Sequence, residues 1–171
     1  MRRPFRALHL RVRHFMESAA SAAGEAARER TSHLTGAPDP WPVVRILSRL
    51  HHDLFTIGRA MVEPLPEPLR RPLDEPLSRL FSAVAACLDA NAAAIAGRGL
   101  PPPFDGVIQA LGDYAAAMTA LHRADLTRGL ADEATERIFA MSFMVGQLCS
   151  NLQDLAHCTR DLALPNRSPS A

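Results

Sequence analysis

Apolar residues recur along this chain at alternating steps of three and four, in five stretches separated by proline and glycine. That spacing keeps them on one face of a helix. The first stretch spans about residues 4 to 35 and carries Phe5, Leu8, Val12, Phe15, Ala19, Ala22 and Ala26. Its first half offers large side chains and its second half only alanine, which buries little area per residue. Gly36 and Pro38 end it.

Asp39-Pro40 reads as an N-cap followed by proline at the first helical position. The second stripe then runs Val43, Leu47, Leu50, Leu54, Ile57 and Met61, closed by Pro64. Residues 63 to 77, "EPLPEPLRRPLDEPL", repeat Pro-Leu every four residues. An interior proline costs a helix about 3 kcal/mol. The segment is therefore expected as a packed or broken turn, with the third helix starting near Asp74. Its face is Leu77, Leu80, Phe81, Val84, Cys87, Leu88 and Ile95, stopped by Gly97 and Gly99 before Pro101. The fourth stretch, about 104 to 124, carries Val107, Ile108, Leu111, Ala115, Met118 and Leu121. The fifth starts near Asp132 and carries Ile138, Met141, Val145, Leu148, Leu152 and Leu155 up to Pro165. Glu133 and Glu136 suit the positive end of its dipole.

Short connections between amphipathic helices predict an all-α, antiparallel bundle of about five helices. Residues 1–36 form a long N-terminal helix, 37–164 the bundle and 165–171 a frayed tail. The expected core contains Leu47, Leu50, Leu54, Ile57, Leu80, Val84, Leu111, Met141, Val145, Leu148 and Leu152. Helices two and five are expected side by side. His51 and Asn151 flank their stripes and are expected to share a polar seam.

Composition narrows the function. The chain has 171 residues, enough for one domain with a real core. Its formal net charge of +1 and its 5% aromatic content argue against a nucleic-acid partner. No apolar run reaches the roughly 18 residues of a spanning helix. Nor does an apolar h-region follow the basic N-terminus. Three cysteines cannot form a closed disulfide set, which points to a reducing, cytosolic setting. Charge is concentrated at the start: Arg2, Arg3, Arg6, Arg11 and Arg13 all precede the first acidic residue, Glu17. Such a run suits a membrane surface.

The candidate chemistry is sparse. In His51-His52-Asp53 the two imidazoles leave a helix about 100° apart and cannot share a ligand direction. A helical zinc pair needs histidines four apart. Asp154, His157 and Asp161 share one helix side, as an outer polar face also would. No phosphate loop or nucleophile elbow is present. No catalytic, cofactor-binding or metal residue is therefore expected, and the chain is not read as an enzyme. The alternative is a histidine phosphotransfer-like signalling bundle using His51 or His52. A third reading is an adaptor whose apolar surface binds another protein.

Three segments carry a resemblance: "RLHHDLFTIGRAMVEPLPEPL" from Arg49, "PPPFDGVIQAL" from Pro101, and "LTRGLADEATERIFAMSFMVGQLCSNLQDL" from Leu126. Over about residues 40 to 158 they resemble the soluble, helical C-terminal half of the fusaric acid resistance or aromatic acid exporter family. The resemblance implies a cytoplasmic domain of an efflux transporter at the bacterial inner membrane, acting in structure or assembly rather than as the transport path. It implies the transporter's membrane domain as partner and is compatible with a homo-oligomer. The chain departs from that pattern in lacking a membrane half, so this chain alone is expected to be soluble. The basic start is then the membrane-proximal end, and Phe5, Leu8, Val12 and Phe15 are expected to be less packed than Val145 and Leu148.

Overall fold

A computed structural model describes residues 2–33, 39–97, 100, 103–126 and 132–163. They form five helices: α1 (Arg2–His33), α2 (Trp41–Ala60), α3 (Glu67–Ile95), α4 (Asp105–Arg123) and α5 (Asp132–Ala163). No strand occurs among the described residues. The fold is an all-α helical bundle. The terminators Gly36, Pro38, Gly99, Pro101 and Pro165, and the 165–171 tail, lie outside the described residues.

α5 is the organising helix. Ile138, Met141, Val145, Leu148, Cys149, Leu152, Leu155 and Ala156 are all buried. An arc that wide serves more than one neighbour. Accordingly α5 packs on α2, α3 and α4, while among the described residues α1 packs on α2 alone. α2 and α3 are consecutive but do not pack on each other; α5 stands between them. Arg49 pairs with Asp154, Asp53 with Asn151 and Glu63 with Arg137, so α2 and α5 run antiparallel.

Three expectations are corrected. α3 does not begin near Asp74 but at Glu67, with Pro72 and Pro76 inside it. Pro72 cannot donate to the Pro68 carbonyl, nor Pro76 to that of Pro72. Against this, Leu69, Leu73, Leu77 and Leu80 are all buried on one face. At about 1.5–3 kcal/mol per buried leucine, their sum matches or exceeds two interior prolines at about 3 kcal/mol each. The start is secured at Pro66, whose carbonyl accepts from the N–H groups of Leu69 and Arg70, both at 2.9 Å.

The second correction concerns α2. Its first residue is Trp41, with Pro42 in the first turn. Asp39 does not cap as expected; its Oδ1 accepts from the Trp41 N–H at 3.1 Å. Leu54, expected in the core, is 37% exposed. The buried face runs Val43, Ile46, Leu50, Asp53, Ile57, stepping three rather than four after Leu50. Asp53 takes the inward place because Asn151 is there to meet it. Leu47 and Leu111, also expected inside, are half-buried against the core. The other eight expected core residues are buried.

The third correction is the phase of α1. The residues turned toward α2 include His9, Val12, Met16, Ala19 and Ala23. Leu8 and Phe15 are turned largely to solvent, 57% and 64% exposed. The ring of His9 rests on Phe55 of α2, centroids 4.2 Å apart, which fixes this rotation. Leu8 and Phe15 are thus far less packed than Val145 and Leu148, as expected. Val12 is half-buried, and the Phe5 side chain lies outside the described residues.

Candidate functional site

The polar groups of this bundle gather on both sides of α2. On the α5 side, Asn151 Nδ2 donates to Asp53 Oδ2 at 2.6 Å, and both residues are buried. Arg49 and Asp154, both half-exposed, flank this bond at 3.1 Å. Toward the other end Arg137 pairs with Glu63, while the buried Arg137 Nε has no hydrogen-bond partner among the described residues. The seam between helices two and five is therefore real, but its α2 member is Asp53. His51 faces α1 instead.

On the α1 side, His51 Nε2 lies 3.1 Å from His9 Nδ1. Burial, then the charges of His9 and of His52, hold the His51 pKa below the ordinary histidine range. Leu8, Val12, Leu54 and Phe55 line an apolar groove of about 260 Å³ over this pair. His52 is exposed. His51 Nε2 is thus engaged by His9. Asp154 is held by Arg49, while His157 and Asp161 are exposed, in keeping with an outer polar face. Among the described residues, no group of three or more His, Cys, Asp or Glu side chains could hold a metal ion.

A second groove of about 330 Å³ opens between α4 and α5, and Met118, His122, Ile138, Phe139 and Ser142 are among the residues that line it. Tyr114 and Ser142 share a 2.8 Å hydrogen bond beside it. Burial pushes the Cys149 thiol up to about 11, with Cys87 adding to the shift. Burial likewise raises Cys87. Neither is poised as a nucleophile.

Of the basic residues at the start, Arg11 is exposed and Arg13 makes a 3.0 Å surface pair with Glu17. The side chains of Arg2, Arg3 and Arg6 lie outside the described residues. His9 and Asp53 are the two site residues that sequence reasoning missed. The signal for His9 was its place in phase with Val12 and Met16. For Asp53 it was the step of three from Leu50. Comparison of the chain with protein-family models, with curated proteins and with solved structures finds no match.

Proposed function

We propose that this chain is a non-enzymatic helical module that attaches to a membrane through α1, in the manner of a cytoplasmic domain of a fusaric acid or aromatic acid type exporter. The observation that carries this reading is the outer face of α1. Phe15 stands free of the bundle and Leu8 lies at the open rim of the α1–α2 groove, both more than half exposed beside Arg11, on a helix that among the described residues packs only on α2. Apolar side chains next to cations suit an anionic lipid surface, where each arginine contributes about 1 kcal/mol. No helix of the described residues is long and apolar enough to cross a membrane. The outer face of α1 suits attachment along the surface, beside a membrane-embedded partner. The internal pairing of Asp53 with Asn151 and of His51 with His9 supports a structural rather than a catalytic role.

The test is sedimentation of the full chain with vesicles. Binding to anionic phosphatidylglycerol vesicles, weak binding to zwitterionic ones, and its loss in a Leu8→Ser/Phe15→Ser variant are expected. Equal recovery with both lipids, or no binding to either, would remove the reading.

A further inference from the structure

The seating of α1 on α2 includes a hydrogen bond between two titratable rings. His51 Nε2 and His9 Nδ1 are 3.1 Å apart. The ring centroids are 5.0 Å apart and the planes are inclined by 20°. The centroids are further apart than the nitrogens, so the nitrogens meet between the rings. One must carry the hydrogen and the other the lone pair. The observed gap fits a shared proton.

A first added proton makes one ring cationic and leaves the bond intact, because the neutral ring can still present a lone pair. A second makes both facing nitrogens donors and brings two like charges together in an apolar groove. From α1 the titratable group facing His51 is His9. On α2 His52 adds positive charge, and Arg59 lies over Phe55 at 6.0 Å. On α5, which packs against the opposite side of α2, Asp154 is held by Arg49, Arg137 by Glu63, and Asn151 by Asp53. No carboxylate forms an ion pair with either ring among the described residues. Among the described residues no other helix holds α1 in place.

We propose that His9 and His51 form a proton-operated latch, in which uptake of the second proton releases the N-terminal half of α1 from α2. The latch stands apart from the membrane reading and does not depend on it. Its direction follows from the lowered pKa of His51. The latched form binds fewer protons than the released form. Latching is thus fully present above the ordinary histidine pKa of about 6.5 and is lost as pH falls through the lowered value.

Hydrogen exchange of the full chain, corrected for the intrinsic pH dependence of amide exchange, tests this. Between about pH 7.5 and pH 5.5, protection of α1 amides from Ala7 to Ala20 should fall by up to about tenfold, with α5 as the steady reference. A His9→Asn/His51→Gln variant keeps polar atoms near Nδ1 and Nε2 but cannot titrate, and its α1 protection should no longer respond to pH. A wild-type change below about twofold, or an undiminished response in the variant, overturns the latch. Should the variant lose α5 protection at neutral pH, imidazole NMR of the wild type decides. Two coupled steps support the latch, and independent titration of His9 and His51 overturns it.

Discussion

Asn151 of α5 reaches across the bundle to Asp53 of α2, at 2.6 Å and with both residues inside the core. This bond decides which residues of α2 face inward. With Asp53 satisfied there, Leu54 is turned out toward α1 and His51 is brought onto His9. The inner seam and the outer groove are therefore consequences of one rotation of α2.

Replacing Asn151 with leucine fills similar space but leaves the Asp53 carboxyl buried without its donor. The expected loss is about 1–3 kcal/mol in urea unfolding, the usual cost of an unpaired buried polar group. An Asp53→Leu/Asn151→Leu double variant should recover most of it, since two apolar groups leave nothing unsatisfied. A double variant less stable than Asn151→Leu would show that the pair does not behave as a unit.

Pro72 is exposed in α3, so alanine there removes no core contact. It supplies an N–H for the Pro68 carbonyl. Stability should rise, by about 1–3 kcal/mol after the added freedom of the unfolded chain is set against the restored turn. Leu73→Ala, by contrast, should cost about 2–5 kcal/mol because Leu73 is fully buried. A destabilised Pro72→Ala would mean that the turn at 67–72 gains nothing from the added bond.

These residues also mark what the sequence made legible. The stripe of α5 could be read in full, because all its members from Ile138 to Leu155 are apolar and buried. The Pro-Leu repeat misled because a local rule about proline was set against a face of leucines whose burial depends on distant helices. Leu54 and Phe15 misled for a related reason. Periodicity gives the width of an apolar face, but its rotation is set by partners such as Asn151 and Phe55. The polar pairs join residues 42 and 98 positions apart in the chain. A single sequence holds no record of which distant polar groups will meet.

Tyr114 is the chain's one tyrosine, so its ionisation can be followed alone by ultraviolet absorbance. Burial pushes its hydroxyl pKa up, partly offset by the bond to Ser142. The absorbance midpoint of the folded chain should therefore lie above the ordinary value of about 10 and return to it in denaturant. A folded pKa raised in this way gives stability that is complete below about pH 10 and lost as pH rises through the folded value. Tyr114→Phe should lose that alkaline component. An unshifted midpoint in the folded chain would contradict the burial of Tyr114.

The three cysteines should react in order of exposure. Cys87 and Cys149 are buried and Cys158 is half-buried. Burial raises all three, with Asp161 and Asp154 adding to the shift at Cys158. Iodoacetamide near pH 8 should therefore label Cys158 slowly and first, while Cys87 and Cys149 are labelled only after denaturation. Peptide mass spectrometry reads the order. Early labelling of Cys149 would place its helix face outside the core.

Among the described residues the contiguous core draws on α2 to α5 and includes none from α1. At 32 residues α1 is as long as α5, yet it touches one helix where α5 touches three. Length alone does not make it part of the fold's support. A chain beginning at Asp39 should fold cooperatively, with Tyr114 still titrating above the ordinary range. The cut uncovers Val44, His51 and Phe55 on α2, so some stability is lost. A chain ending before Asp132 should fail to fold, because α2 and the α3–α4 pair then share no surface. Circular dichroism per residue and the sharpness of urea unfolding compare the two. If the chain from Asp39 unfolds without a cooperative step, α1 supports the bundle itself, and its exposed face would need a structural explanation before a membrane one.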